Sequence, residues 1–463
     1  MSLHTPKVSA GLIGFLAIVS IYSEANAQTP IRIENVLNTP ENLSLSVNYR
    51  VRYETLNNRF RSGFTGSDQI FLQRLLLAGE YDFGGVYIGA ELQDSRQQLA
   101  DSGTPVGTDD VNTFELLKAY VGYRGDDVVL SGDNLDIAAG RVTLNISSRR
   151  LAARNRFRNT INGFTGVQVR WTAPGGGTLN SFYTLPVNRL PNDAESLLSN
   201  DVQFDRERIN QRFWGVHYTT PEFISELTAE FYVFGLQESD SNSLATRDRN
   251  LFTPGVRFYK SKSSGAIDFD FETTLQVGDA ALSTAADAER LNTIAHFHHV
   301  QLGYTFENSW NTRVAVQYDF ASGDRDPDDS RNGRFDTLFG ARRFEFGPTG
   351  IFGALARSNI NSPGARIELA KGRWQALIGY RAAYLASSRD ALTTAGLLDS
   401  TGASGRFIGH QWETRVRYDV IRGNVQLEAG VAHLLEGEFL RTAPNASTDG
   451  DNFFTYSQIS FSF

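Results

Sequence analysis

Leu43-Ser44-Leu45-Ser46-Val47-Asn48-Tyr49-Arg50-Val51-Arg52-Tyr53-Glu54 alternates from end to end. Successive side chains of an extended strand point to opposite faces. Leu43, Leu45, Val47, Tyr49, Val51 and Tyr53 therefore share one face, and Ser44, Ser46, Asn48, Arg50, Arg52 and Glu54 share the other. Residues 266–278 repeat the pattern, with Ile267, Phe269, Phe271, Leu275 and Val277 opposite Asp268, Asp270, Glu272, Thr274 and Gln276. Residues 311–321 do so again, Val314, Val316, Tyr318 and Phe320 standing against Arg313, Gln317 and Asp319. Such a strand needs an apolar neighbour on one side only. Alternation by itself does not say whether that neighbour is a protein core or lipid.

Number, length and spacing of the strands decide between them. The pattern predicts strands near 43–54, 70–82, 86–97, 113–124, 135–144, 163–173, 178–186, 210–219, 226–237, 251–260, 266–278, 294–306, 310–321, 350–369, 373–387, 408–419, 423–434 and 452–463. Many run to ten or more residues, the reach of a tilted membrane strand, where soluble strands average five or six. Connections alternate short and long. The short ones include 82–85, 174–177, 261–265, 307–309, 371–372 and 421–423; the long ones include 55–69, 98–112, 187–209, 279–293, 321–349, 388–407 and 435–451. Threaded from a periplasmic N-terminus, every long connection falls on the outer side, the asymmetry of outer-membrane barrels. The longest inner connection is 125–134. Tyr53, Tyr81, Tyr123, Trp171, Tyr218, Tyr304, Trp310, Trp374 and Tyr418 sit near strand ends, where interface girdles form. The chain closes on Ile459-Ser460-Phe461-Ser462-Phe463, the lipid-facing row expected of a final strand, and its last aromatic resembles the signal read by the outer-membrane barrel assembly machinery. The expected fold is all-β: a membrane-spanning antiparallel up-and-down β-barrel of about 18 strands.

Composition agrees. Across 463 residues there is no cysteine, and hence no disulfide framework or thiolate chemistry; the net charge of −8 argues against nucleic acid as a partner. Mean hydropathy is −0.30, with 12% aromatic residues and 42 glycines. Lys7, the apolar stretch 8–21 and Ala25-Asn26-Ala27 have the form of an export signal. The expected organisation is a signal peptide 1–27 cleaved after Ala27, a short periplasmic segment 28–42 and a barrel over 43–463. That places the protein in the outer membrane of a Gram-negative bacterium, with outer-membrane lipid around it.

A basic side chain on the lipid face near mid-membrane costs roughly 2–4 kcal/mol, so strand charges are assigned inward. The well-phased basic candidates are Arg50, Arg52, Arg74, Lys118, Arg170, Arg257, Arg313, Arg381, Arg415 and Arg417. The acidic ones are Glu54, Glu80, Glu91, Glu230, Asp268, Asp270, Glu272, Asp319, Glu413, Asp419 and Glu428. Signs this evenly matched suit pairing across neighbouring strands as well as contact with a solute. A barrel of this size holds an aqueous channel unless something fills it. About 15 residues between Gln28 and the first strand are too few for a plug domain. Any constriction must come from long side chains or folded-in loops, of which 321–349 and 187–209 are the longest. Catalytic signals are thin. His296 and His298 share a face while His299 takes the other, and no carboxylate motif supports a metal there. Asp324-Arg325-Asp326-Pro327-Asp328-Asp329 lacks the glycine and closing glutamate of a calcium loop. No enzyme activity, cofactor or metal is expected.

Tyr318-Asp319-Phe320-Ala321-Ser322-Gly323-Asp324-Arg325-Asp326-Pro327, followed by Phe335-Asp336-Thr337-Leu338-Phe339, resembles a signature of the alginate export family of outer-membrane proteins. Gly140-Arg141 and Arg149-Arg150-Leu151 resemble its Gly-Arg-Gln and Arg-Leu elements, and 91–96 its early Leu-Gln-Asp-Ala-Arg strand. Gly409-His410, Tyr418, Gly430 and Gly437-Glu438-Phe439-Leu440 resemble its closing hairpin. The resemblance implies an 18-stranded monomeric barrel that passes an anionic polysaccharide through an arginine-rich constriction, and it adds Arg141 and Arg149 to the substrate-path candidates. Val142 stands where the family has Gln, Ser147-Ser148 replace a Gly-Asp pair, and Thr165 replaces an Asp. Arg141 shares the parity of Leu135, Ile137 and Ala139, so a bulge would be needed to turn it inward. The expected function is passive diffusion of an alginate-like polysaccharide or related anionic solute through an arginine-lined lumen. The alternative is a general porin, or one specific for another solute, of the same architecture. Export would also call for periplasmic partners.

Overall fold

The alternating segments close into one continuous wall. In the computed structural model, residues 30–101, 103–241 and 244–463 are described; the expected signal sequence lies outside the described residues. Eighteen strands make the wall: β1 (Leu43–Asn57), β2 (Asp68–Asp82), β3 (Val86–Gln98), β4 (Asn112–Asp126), β5 (Asn134–Val142), β6 (Phe164–Thr172), β7 (Thr178–Asn188), β8 (Gln211–Ile224), β9 (Leu227–Glu238), β10 (Asn250–Lys260), β11 (Ile267–Ala281), β12 (Arg290–Thr305), β13 (Arg313–Ala321), β14 (Ile360–Lys371), β15 (Trp374–Tyr384), β16 (Phe407–Ile421), β17 (Val425–Glu436) and β18 (Asn452–Ser462). Each pairs antiparallel with the next. β1 then closes on β18 through Asn48↔Ser462 to Asn57↔Phe453, so every strand of the wall has a neighbour on both sides. A short helix α1 (Ile33–Leu37) tucks under the inner rim, where Glu34 Oε1 accepts from the Leu45 amide at 3.0 Å.

The two faces separate as the sequence predicts. Arg50, Arg52 and Glu54 are buried inside, whereas Val316, Leu302 and Ile378 stand exposed on the outside. A continuous ring of bare valine, leucine and isoleucine suits only an apolar surrounding. Among the described residues no helix is long and apolar enough to cross a membrane; the strands do the crossing.

The interior is not uniform. Phe335, Phe346, Ile351, Phe352 and Leu355 of the 322–359 connection fold inward, as do Leu144, Leu151 and Ala152 of the 143–163 connection. They pack on inward-facing Leu56, Ile70, Leu72, Phe164, Phe213, Phe234 and Phe454 from the outer halves of the strands. The outer half of the barrel therefore has an apolar core, and the inner half is left wet. Two expectations need adjustment. The strand predicted over 350–369 begins at Ile360, because the apolar residues 351–355 belong to this core. The 143–163 segment, an outer connection between the strands predicted at 135–144 and 163–173, folds into the lumen with 322–359, and the 187–209 candidate does not.

Candidate functional site

The site is built where the two inward connections meet. The stretch from Arg149 to Arg158 carries five arginines in ten residues. It forms a short parallel ribbon with the other connection across the lumen. The Phe339 amide donates to Leu151 O at 2.9 Å, the Ala153 amide to Phe339 O at 3.1 Å, and the Ala341 amide to Arg149 O at 2.9 Å. Gly340 permits this approach, since a Cβ there would lie 1.7 Å from the Arg150 carbonyl.

The wall then grips the ribbon. Arg50 donates to the carbonyls of Arg156 (2.6 Å) and Arg158 (3.0 Å), Arg74 to the same two (3.2 and 3.1 Å), and Arg52 to Phe157 O (2.5 Å). Asn159 is fully buried. Its Oδ1 accepts from Arg50, and its Nδ2 donates to the carbonyls of Gln73, Arg96 and Asp110. These strand cations are thus committed to main-chain oxygens, and the arginines of the connection itself reach the open lumen.

A second network ties both connections to the opposite wall. Arg150 meets Glu272, Asp270 (3.1 Å) and Glu345 (2.9 Å), and Arg357 meets Glu345 (2.8 Å). Arg257 pairs with Asp270 (2.8 Å) and Arg381 with Asp319, whose other oxygen faces His299 Nδ1 at 2.7 Å. Pairing of this kind offsets the cost of taking these charges out of water.

Below the ribbon lies a cavity of about 930 Å³ lined by fourteen arginines and Lys262 against six carboxylates. Half of those arginines, namely Arg149, Arg150, Arg154, Arg156, Arg158, Arg342 and Arg343, come from the two connections and not from strands. Above it an outer cavity of about 1000 Å³ is lined by Arg61, Arg189, Arg247, Arg249 and Arg334, with Asp109, Asp110 and Asp336. Arg158, Arg342 and Thr349 border both cavities and mark the constriction. Arg158 is answered by Asp109 at 2.9 Å. Among the described residues the side chains of Arg342, Arg156 and Arg415 have no ion-pair or hydrogen-bond partner, and that of Arg149 has only the Phe344 ring, 3.9 Å below its guanidinium. Burial, with Arg158 alongside, pulls the Arg342 guanidinium down to about 9.

The nine candidates from the sequence divide accordingly. Arg50, Arg74, Arg149, Arg381 and Arg415 line the inner cavity; Arg52, Lys118, Arg141 and Arg170 do not. Arg52 lies behind Phe157 and pairs with Glu54 at 2.7 Å. Lys118 meets Glu91 at 3.1 Å, and Arg141 bridges Glu115 and Glu207 at the outer end of β5. Arg170 is exposed near the inner end of β6, opposite Asp136. Sequence reading missed Arg154, Arg156, Arg158, Arg342 and Arg343. The arginine density of 149–158 was the available signal, hidden because no strand pattern runs through it. The histidines separate as their parity requires: His296 and His298 bond to each other on the outer face, and His299 faces Asp319 within. Asp326 and Asp328 are both engaged by Arg389, at 3.1 and 3.0 Å.

A family model described as alginate export matches residues 41–453. Among solved structures, the chain is similar to OccK8 (OprE) of Pseudomonas aeruginosa at 12% identity, TM-score 0.58, covering 91% of this chain and 98% of that one. It is similar to OccAB1 of Acinetobacter baumannii at 13% identity, TM-score 0.58, covering 91% and 97%. It is similar also to a BenF-like porin from Pseudomonas fluorescens Pf-5 at 13% identity, TM-score 0.58, covering 91% and 99%. At such identities the likeness is one of fold. No curated protein matches.

Proposed function

Because the chain belongs to the alginate export family, we propose that it is an outer-membrane channel through which an alginate-like polysaccharide, or a related anionic solute, diffuses passively along the arginine-lined lumen. One observation carries this reading: fourteen arginines and a lysine face six carboxylates around the inner cavity. The strand charges alone are nearly balanced, and the two inward connections supply the excess. Its chemistry is exchange. A uronate carboxylate gives up part of its hydration for guanidinium contacts, each worth roughly 1.5–3 kcal/mol when charge-assisted. Passage requires that no single contact be too tight. The unanswered cations Arg149, Arg156, Arg342 and Arg415 can accept a carboxylate without breaking a pair. The paired ones, Arg150, Arg257 and Arg381, keep the frame rigid.

Planar-bilayer recording under a salt gradient tests this. The expected reversal potential is that of an anion-preferring pore, and oligouronates block the current from one side. Cation preference, or current indifferent to oligouronates, excludes the reading. A porin for a small carboxylate is the second reading, favoured by the apolar packing of the outer half, which breaks the lumen into two cavities of limited size. Uronate monomer blocking as well as the oligomer supports that alternative.

A further inference from the structure

The 189–210 connection, long enough to fold into the lumen, goes elsewhere. β5 and β6 are only nine residues each, while β4 has 15. Pairing between β4 and β5 ends at Ala119↔Arg141, so residues 112–118 of β4 rise above β5 with no partner on that side. The chain leaving β5 has turned inward to build the constriction, and a notch is left in the wall. The 189–210 connection lies across it. Asn200 Oδ1 accepts from the Gln97 amide (2.8 Å) at the top of β3, and its Nδ2 donates to Gln97 O (2.9 Å). Asn112 donates to Asp205 (2.8 Å), and the Asp205 amide to Glu115 (2.8 Å). Glu207 accepts from Thr165 on β6 and pairs with Arg141 at 2.7 Å, while 206–207 add to β7 through Val187 and Asn188.

This patch faces outward. Leu198, Val202, Phe204 and Ile209 are all exposed, Phe204 by 60%. On the strands beside them, the exposed outward residues are Leu92, Phe114, Leu116, Val167 and Tyr183. Height can be gauged along the strands. At about 2.6 Å of rise per residue for a strand tilted by roughly 40°, Thr165 stands about 16 Å above the Trp171 girdle, and Val187 about 21 Å above Leu179. The apolar band of an outer-membrane barrel is about 25 Å tall. Glu207, in register with Val187, thus lies within its upper edge.

The geometry points to residues 198–209 as a lipid-contacting section of the barrel wall, with Val202 and Phe204 set against the acyl chains of the outer leaflet and Arg141, Glu115 and Glu207 as the rivet that holds them. The patch is continuous with the apolar belt, which selects acyl chains as its occupant. An ion pair at this depth is tolerated because each charge is answered. Arg141 then belongs to the seal of the wall and not to the solute path.

The chain has no cysteine, so single-cysteine variants report cleanly. In proteoliposomes of phosphatidylcholine, an environment-sensitive fluorophore at Phe204→Cys is compared with Val167→Cys on the wall and Asp328→Cys at an exposed loop position. The expected result is quenching by nitroxide-bearing acyl chains comparable to position 167, and iodide quenching several-fold weaker than at position 328. Iodide quenching equal to that at 328 overturns the assignment. Protection from both quenchers, with crosslinking between copies, overturns it too, in favour of a second copy of the chain. In a Glu207→Gln background, with folding checked by heat-modifiable gel mobility, the label at 204 moves toward iodide; a label that stays put removes the rivet from the account.

Discussion

Arg342 and Arg150 sit within one network of charge and have opposite consequences. Arg150 is met by three carboxylates. Arg150→Gln leaves Asp270, Glu272 and Glu345 short of a cation, which costs about 3–5 kcal/mol. It is expected to lower the thermal midpoint of the folded barrel in a gel-shift melt. Arg342 has no partner and sits where burial depresses its guanidinium to about 9. Arg342→Gln removes an uncompensated charge, so the barrel is expected to be at least as stable while oligouronate block weakens roughly tenfold, the loss of about 1.4 kcal/mol. Equal affinity in bilayer recordings of the two proteins removes Arg342 from the solute path. Asp110, in the outer connection between β3 and β4, is a third case. Burial first, and Asp109 second, raise its carboxyl to about 7, against about 3.9 in an unfolded chain. The folded protein therefore prefers the protonated form, and stability falls as pH rises from about 4 to about 7. Asp110→Asn is expected to gain about 2–4 kcal/mol over the parent at pH 8 and nothing near pH 4, read as slower proteolysis of 99–111.

At the scale of elements, the constriction is a connection held by the wall. Asn159 makes four hydrogen bonds through its side chain, and Arg50, Arg52 and Arg74 hold the carbonyls of 156–158. Each buried group left unmet costs about 1–3 kcal/mol. Asn159→Ala is therefore expected to loosen the 143–163 connection without unfolding the barrel. Single-channel traces should show larger and noisier openings, with unchanged gel mobility of the folded form. The same elements mark the limit of reading from pattern. Arg50, Arg52 and Arg74 were correctly phased inward by alternation. That they would hold a loop's carbonyls was invisible, because their acceptors are 82 to 109 residues away. Residues 351–355 look like part of a strand because alternating apolar residues suit a loop packed in a lumen as well as a wall facing lipid.

At the scale of the whole molecule, the barrel is apolar outside and charged within, and substitution tests that polarity directly. Val316 points outward, halfway along β13, and Gln317 points inward. Val316→Arg is expected to cost roughly 2–4 kcal/mol and to reduce assembly in a folding assay, whereas Gln317→Arg is nearly neutral in the same assay. Equal losses would show that the faces are not distinct.

The strand number, the alternating wall and the placing of long connections on one side were all present in the amino-acid sequence, because the period of two and the turn lengths are local properties that the lipid surround enforces along each strand. The solute path was not. Which arginines stay free depends on which carbonyls and carboxylates reach them across the lumen, through contacts between residues far apart in the chain. Arg150, Arg342 and Arg141 look alike in sequence; only the closed barrel leaves the first paired, the second unanswered and the third sealing the wall.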